Sequence, residues 1–358
     1  MAPLLMKTRT QTLLVWIGLG FLLAGCGGRD NGETEAPIKG RPSDPPVALR
    51  AEWKPDRRYL LRVEAQQTLE LPFPPGSRTA QDTLIQQDYS VTVTNAEAGR
   101  KGLELEVAAL AVQAHFGDQV VLRFDSMNPA VPNEGPGVDV LQRVVGGKIR
   151  FLLGPDGQVE KTSGLEELLG QNPNGGNRGP AWRGNLMGGG LQRLYGEDYL
   201  KQIVEVGALP PGPVRVGDTW TRRRELEVGL VGRVAAVTTN TFRGWQVREG
   251  RSCARIDFAG TLTLKTNIAS GGLPLSGLSL EEGRVSGKAW FEPSLGLPLA
   301  AEMEQSCRIA GTLPNLGRRG PAGVQGTNAG PLSFSTPWRQ SVTLAITVAS
   351  NAPSAPPR

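Results

Sequence analysis

The sequence predicts a mainly β protein built from two curved antiparallel sheets, each resembling half of a barrel, with a few short helices. Three observations predict this fold class. Runs of alternating apolar and polar residues recur from Tyr59 to Val348. Turn sequences such as Pro155-Asp156-Gly157 separate neighbouring runs, as in β-hairpins. The order of strand, turn and hairpin recurs at an offset of about 160 residues, which suggests a distant duplication.

The first antiparallel β unit is predicted over residues 51–170. Tyr59 opens its first strand, and Gly146-Gly147 ends a short helix over 138–145. A hairpin with its turn at Pro155-Asp156-Gly157 closes the unit. The predicted strands lie at 59–65, 84–94, 103–114, 119–124, 148–153 and 158–161.

Residues 171–211 are predicted to connect this unit to a second one. A Gly- and Asn-rich loop comes first, and apolar residues at near-helical spacing then indicate a linking helix over 190–206. The second antiparallel β unit is assigned to 212–350, followed by a disordered tail over 351–358. Its predicted strands lie at 220–228, 234–245, 254–266, 284–291, 297–310 and 341–348.

The N-terminus carries a secretory signal, predicted over residues 1–25. The basic residues Lys7 and Arg9 precede an apolar run over 13–23, which ends in Leu23-Ala24-Gly25-Cys26. The run is about half of the roughly 20 residues that span a bilayer, which favours cleavage over an uncleaved anchor. Residues 27–50 are rich in Gly, Pro, Asp and Arg, so 26–50 is predicted to be a lipidated cysteine followed by a disordered tether.

Leu23-Ala24-Gly25-Cys26 resembles the lipobox of bacterial lipoproteins. The resemblance implies that Cys26 is diacylated on sulfur, becomes the new N-terminus and is acylated again, with palmitate as a typical chain. Gly27 follows where Asp would be the usual inner-membrane retention signal, so the resemblance favours the outer membrane, facing the periplasm. More than one acyl chain gives stable anchoring.

The charge balance argues against nucleic acid as a partner. Cleavage before Cys26 removes two of 39 basic residues and none of 34 acidic ones, which leaves a net charge of +3. No basic block is interleaved with aromatic residues. We therefore expect no nucleic-acid binding.

An enzyme is not expected, and neither is a metal or a cofactor. His115 is the single histidine, and it cannot form a multi-histidine metal site. Neither a Gly-x-Ser-x-Gly nucleophile elbow nor a phosphate-binding Gly-x-x-x-x-Gly-Lys-Ser/Thr loop is present. The acidic pairs Glu104/Glu106 and Glu166/Glu167 fit a solvated strand face and a helix surface.

Cys253 and Cys307 remain after Cys26 is assigned to lipid, and two interpretations stay open. In an oxidising compartment they could form a disulfide. However, strand alternation places Cys307 on the same face as apolar residues and Cys253 on the same face as polar residues. A disulfide bond between them therefore requires a bulge near Cys253. The alternative is two free thiols, one buried and one exposed.

The candidate ligand-binding residues are Trp220, Arg222 and Arg224. Strand alternation places them on one face, where two guanidiniums beside an apolar floor could bind a lipid head group or an anionic polymer. The alternative is a surface charge run whose side-chain stems pack on the sheet. Gly217-Asp218-Thr219-Trp220 is better explained as a turn that leads into a strand, with Asp218 accepting a backbone amide.

Most of the chain after the signal resembles a family of uncharacterised bacterial envelope proteins. The features that carry the resemblance are Cys26, Tyr59, Gly146-Gly147 with Pro155-Asp156-Gly157, and Pro210-Pro211 leading to Gly217-Asp218-Thr219-Trp220. The family has no assigned activity, so the resemblance implies location and fold but no mechanism.

Two functions are compatible with the sequence. The first is a tethered, non-enzymatic binding module for a lipid or another apolar ligand held by the curved sheets. The second is an envelope scaffold or assembly factor that acts by protein–protein contacts.

Overall fold

The computed structural model of the chain describes residues 36–55, 57–71, 79–169, 197–205, 209–228, 232–266, 276–313 and 332–349. The helices are α1 (Val138–Val144), α2 (Leu165–Leu169) and α3 (Glu197–Val204). The strands are β1 (Arg58–Leu71), β2 (Thr79–Asn95), β3 (Lys101–Phe116), β4 (Gln119–Asp125), β5 (Lys148–Leu153), β6 (Val159–Ser163), β7 (Thr219–Val228), β8 (Gly232–Arg248), β9 (Arg251–Thr266), β10 (Ser276–Glu292), β11 (Leu297–Leu313) and β12 (Leu332–Val348).

Some predicted features lie outside the described residues. They are the signal peptide, the lipobox with Cys26, the Gly- and Asn-rich loop over 171–190 and the tail over 351–358. Their predictions therefore stay predictions.

The mainly antiparallel β fold is confirmed, but the two predicted sheets form one continuous sheet. The strands follow the order β6-β5-β3-β2-β1-β12-β11-β10-β9-β8-β7, with β4 added beside β3. The first and last strands join the halves, because β1 pairs with β12 from Tyr59–Val348 to Leu69–Trp338. The alternation of polarity in β1 and β12 is compatible with a neighbouring strand on either side. Local sequence patterns therefore could not predict that these two strands pair with each other.

One face of the sheet carries the core. Along β1, Tyr59, Leu61 and Val63 are buried, whereas Leu60 between them is 43% exposed. The same alternation holds in β3, β11 and β12, so a single apolar cluster extends across the joint between the halves. Register shifts at Asp88/Tyr89 and Glu281/Arg284 mark bulges, which increase strand twist and help the sheet to curve around this face.

The edge strands β6 and β7 approach each other with α3 between them. Helix α3 contacts both strands, and its residues Leu200, Ile203 and Val204 are buried in the main core. We call the junction of β6, α3 and β7 the seam. The predicted linking helix over 190–206 is therefore present over its described part, where it bridges the two edges of the sheet.

The chain joins the fold earlier than the predicted end of the tether at residue 50. Lys39 forms a bridge with Trp245 and Val47 forms one with Val214, while Leu49 is only 2% exposed. This corrects the prediction for 36–50. Backbone pairing orders this segment even though its composition resembles that of a linker.

Several strands are longer than predicted, and β12 shows why. It begins at Leu332 and not at Ser341, and its additional residues pair with β11 from Leu313–Leu332 to Gln305–Gln340. Polar residues on both faces obscure the alternation in this part of β12. Backbone pairing with the neighbouring strand β11 determines the extended conformation of this part of β12.

Candidate functional site

A cleft of about 520 Å³ lies at the seam, and we call it the arginine cleft. One wall is β7 and the opposite wall is the turn between β5 and β6, while the segment before β1 and the end of α3 lie between them. The lining comprises Leu49–Trp53, Gly99, Lys101, Leu153–Gln158, Val204, Glu205, Leu209–Pro211 and Arg222–Arg224. The cleft thus combines residues from both halves of the chain.

Strand β7 supplies the arginines through its alternation. Trp220 is 8% exposed and lies in a second apolar cluster with Phe242, Ile256 and others, while Arg222 and Arg224 follow at the next positions of the same face and line the cleft. Trp220 therefore supports the strand and is shielded from the cleft. Its position gives no support to the predicted ligand contact at this residue.

The turn before β7 fixes where the strand begins. Gly217 has a φ of 93°, a left-handed conformation that glycine adopts readily. The Asp218 carboxylate accepts a hydrogen bond of 2.7 Å from the Arg215 backbone amide. These contacts confirm the structural interpretation of Gly217-Asp218-Thr219-Trp220 as a turn.

Arg222 and Arg224, two of the four arginines that line the cleft, differ in their partners. The Arg222 guanidinium donates a hydrogen bond of 2.7 Å to the Leu209 carbonyl. Arg224 is half-buried and has no hydrogen bond or ion pair among the described residues. Burial and then the nearby charge of Arg222 lower the pKa of Arg224 from its ordinary value, and Glu205 opposes this shift. Arg224 is therefore a desolvated cation beside a like charge.

The acidic residues of the cleft are placed against other partners. The Glu205 carboxylate accepts the Val159 backbone amide at 3.1 Å, and that of Glu52 lies 3.8 Å from the Lys101 ammonium. Asp156 accepts a backbone amide within its own turn, from Gln158 at 3.0 Å. None of these carboxylates forms a described ion pair with Arg222 or Arg224. The cleft can therefore offer two guanidiniums to an anion from solution.

Sequence reasoning missed Arg50, Lys101 and Glu205 as cleft residues. Arg50 lies in a segment with the composition of a linker, Lys101 at the start of a strand and Glu205 at the end of a helix. None of these local patterns indicates a binding site. The hairpin turn at Pro155-Asp156-Gly157 was predicted from its sequence, but the strand that it faces is determined by the curvature of the whole sheet. No local sequence pattern could have predicted that these residues line one cleft.

His115 lies at the end of β3 and is half-buried. Its Nε2 is 2.8 Å from the side-chain amide nitrogen of Gln113, a contact in which the amide donates. Within the described residues no group of three or more His, Cys, Asp and Glu side chains could hold a metal ion. No described helix has the length and apolar character needed to cross a bilayer.

Of the two interpretations left open for Cys253 and Cys307, the disulfide does not form in this fold, because both thiols are free and buried. Ala254, next to Cys253, pairs with Phe291, which pairs in turn with Pro298. Cys307 lies nine residues beyond Pro298, about 30 Å along the strand. A disulfide requires Cα atoms within about 7 Å. The alternative of one exposed thiol also fails, since Cys253 is fully buried.

Both thiols are expected to be inert in the folded protein. Burial raises the pKa of Cys253 to about 11 and that of Cys307 to about 12, and the thiolate is the reactive form. We expect N-ethylmaleimide at neutral pH to label neither cysteine until the protein is unfolded in urea, as measured by peptide mass mapping. Rapid labelling of either peptide in the native protein would contradict the buried positions.

A polar patch interrupts the core face at the centre of the sheet. It comprises Gln81, Thr83, Gln305, Thr336, Trp338 and Gln340, which are all buried. Trp338 Nε1, Thr336 Oγ1 and Gln340 Oε1 have no hydrogen-bond partner within the part of the chain that the structure describes. An unpaired buried polar group typically costs about 1–3 kcal/mol. Sequence reasoning missed this patch because glutamine and threonine on a strand are ordinarily assigned to its solvent face.

Comparisons with known proteins identify no family. No protein-family model matches the chain, and no curated protein matches it either. Solved structures with some likeness include one of lipid–protein interactions in lipovitellin, at 13% identity over 85% of this chain and 27% of that chain, with a TM-score of 0.41. This chain thus spans about a quarter of that protein.

Two further likenesses are weaker. An outer membrane channel from Pseudomonas putida F1 aligns at 8% identity over 84% of this chain and all of that chain, with a TM-score of 0.18. A protein of a family of unknown function from Desulfovibrio piger aligns at 7% identity over 84% of this chain and 88% of that chain, with a TM-score of 0.12. At these values the likenesses bear on neither the function nor the ligand of this chain. The resemblance to an envelope family stays a prediction.

Proposed function

We propose that this protein is a lipid-anchored, non-enzymatic binding module of the bacterial cell envelope, and that its arginine cleft binds the anionic head group of a lipid. The observation that carries the proposal is Arg224, a half-buried guanidinium with no described partner next to Arg222. A cation taken out of water without a counter-charge is unfavourable, and a bound anion would remove that penalty.

The chemistry of the cleft favours a phosphate or a carboxylate. A guanidinium presents several N–H donors in a planar fork that matches two oxygens of such a group. Arg222 and Arg224 lie on the same face of β7, two residues apart, or about 7 Å. They could contact one phosphate from two sides or two neighbouring acidic groups.

The size and walls of the cleft favour a head group over a whole lipid. Its volume of about 520 Å³ falls within the usual range for small-ligand sites, and charged residues predominate among the side chains near the arginines. Apolar contacts are available from Leu49, Trp53 and Leu209, which are among its lining residues. An acyl chain could begin there, next to the acidic group.

The proposed location rests on the predicted lipid anchor. Acylation of Cys26 would hold the folded part at the envelope membrane, where anionic lipids are present at high local concentration. We place the protein in the outer membrane, facing the periplasm, on the basis of Gly27 after the lipobox.

The scaffold alternative has less support. The large exposed apolar side chains among the described residues lie one to a segment: Ile38, Leu60, Leu84, Met127 and Val247. Apolar residues scattered singly are normal on a protein surface and do not mark a partner site.

The Arg224→Gln variant should bind an anionic head group roughly 10- to 100-fold more weakly, since a charge-assisted hydrogen bond contributes about 1.5–3 kcal/mol. The measurement is isothermal titration calorimetry of the full chain with dihexanoylphosphatidylglycerol. Inorganic phosphate tests whether the phosphate alone suffices, and dihexanoylphosphatidylcholine tests whether net negative charge is required.

Arg243→Gln is the matched control. Arg243 is an exposed arginine on β8 outside the cleft, paired with Asp257 at 3.0 Å, so its loss should leave binding unchanged. Equal affinity of the wild type and Arg224→Gln for the anionic lipid would refute the proposed site. Equal weakening by both variants would indicate only a general charge effect.

A further inference from the structure

The polar patch on the core face is organised in rows across four strands. Gln305 of β11 pairs with Gln340 of β12, Gln340 pairs with Gln67 of β1, and Gln67 pairs with Thr83 of β2. These four side chains therefore lie side by side. The next row along the strands consists of Cys307, Trp338, Leu69 and Gln81.

The unpartnered atoms follow one strand. Thr336, Trp338 and Gln340 alternate along β12, so they share a face and span about 13 Å. They are 3%, 1% and 4% exposed. Trp338 Nε1 can only donate, the amide oxygen of Gln340 can only accept, and the Thr336 hydroxyl can do both. Most buried polar groups in proteins have a partner, so three consecutive exceptions require an explanation.

The surroundings are uncharged and partly apolar. Neither row contains a Lys, Arg, Asp or Glu side chain. Leu69 and Ile309 are buried beside Trp338 and Thr336, and Phe116 and Phe334 border the patch as partly buried apolar side chains. A charged ligand would find no counter-ion here. An uncharged ligand with an apolar body would find both hydrogen bonds and apolar contacts.

We propose that this patch is a second binding site, for an uncharged amphiphile whose hydroxyl, ester or amide groups pair with Thr336, Trp338 and Gln340. Its apolar part would contact Phe116 and Phe334. The site is separate from the arginine cleft, which lies at the seam between β6 and β7, whereas β12 occupies the middle of the sheet.

The test uses 1-decanoylglycerol, an uncharged amphiphile with two hydroxyls and one ester, and Thr336→Val and Gln340→Met variants of the full chain. Both substitutions keep the approximate shape of the side chain and remove the unpaired polar atom. Calorimetry should show binding by the wild type and at least about tenfold weaker binding by the double variant. Without ligand, the thermal midpoint of the double variant should rise by a few degrees, because unpaired buried groups are removed.

The matched control is Gln66→Leu, an exposed position on the outer face of β1, which should bind 1-decanoylglycerol like the wild type. The proposal is overturned if the wild type does not bind this probe, or if the double variant binds it with unchanged affinity. A fall in the thermal midpoint with unchanged binding would identify permanent internal water as the partner of these groups. Phosphatidylglycerol binding at the arginine cleft is measured separately. Either proposed site can therefore be refuted without refuting the other.

Discussion

Replacing Trp53 with alanine should lower the free energy of unfolding by about 3–5 kcal/mol, the usual range for a buried tryptophan. Trp53 is 3% exposed, and its ring meets that of Tyr59 edge-on at 5.0 Å. Its indole N–H also donates a 2.7 Å hydrogen bond to the carbonyl of Val204, the last residue of α3. One side chain thus fills the core and satisfies a helix end that lacks an internal partner.

The same substitution should impair the arginine cleft. Trp53 lines the cleft and holds the end of α3, after which Glu205 and Leu209 contribute to the walls. We expect Trp53→Ala to show a lower urea midpoint by far-ultraviolet circular dichroism and a weaker response to dihexanoylphosphatidylglycerol. Loss of the aromatic side chain should affect both quantities, because the cleft depends on the position of α3.

Two further variants separate the contributions of Trp53. Trp53→Phe keeps most of the buried ring but leaves the Val204 carbonyl unpaired, so about 1–3 kcal/mol should be lost. Leu60→Ala removes a side chain that is 43% exposed and should change stability little. An unchanged urea midpoint for Trp53→Ala would show that this residue does not hold α3 against the sheet.

Gly287→Ala is expected to destabilise the sheet by roughly 3 kcal/mol, at the upper end for overpacking in a core. Gly287 of β10 lies between Phe258 of β9 and Met303 of β11. A methyl group at this position would overlap the carbonyl oxygen of Glu302 and the ring of Phe258. The carbonyl belongs to a paired strand and cannot move aside without breaking the ladder.

Gly212→Ala provides the control for Gly287→Ala. No atom lies within 4 Å of the position that a methyl group at Gly212 would occupy. A small gain in stability, or no change, is expected there, because alanine restricts the unfolded chain more than glycine does. Thermal unfolding of the two variants under identical conditions is the measurement. Similar midpoints for both would contradict the close approach of β10 and β11 at Gly287.

Local patterns in the sequence predicted most of the elements. Alternation located the strands because the period of two is a property of each strand by itself. The turn at Gly217-Asp218 and the hairpin at Pro155-Asp156-Gly157 depend on the conformational preferences of a few adjacent residues. The position of Arg222 and Arg224 on the same face of β7 follows from the same alternation.

The errors concern contacts between distant residues. The disulfide prediction depended on which strands are neighbours, and β10 separates the strands of Cys253 and Cys307. A ligand contact at Trp220 stays a prediction, and the burial of this residue likewise depends on distant contacts, with Phe242 and Ile256. The tether was predicted too long because Lys39 and Val47 form bridges with Trp245 and Val214, which are far away in the sequence.

The sequence by itself determined that this chain is mainly antiparallel β, where its turns lie, and that two arginines share one face of β7. Only the tertiary structure decided that β1 and β12 merge the halves into one sheet and that its curvature brings β6 and β7 to either side of α3. It also decided that Arg224 lies half-buried without a described partner. The physical reason is that alternation and turn preference act over a few residues, whereas strand pairing and desolvation depend on residues far apart in the chain.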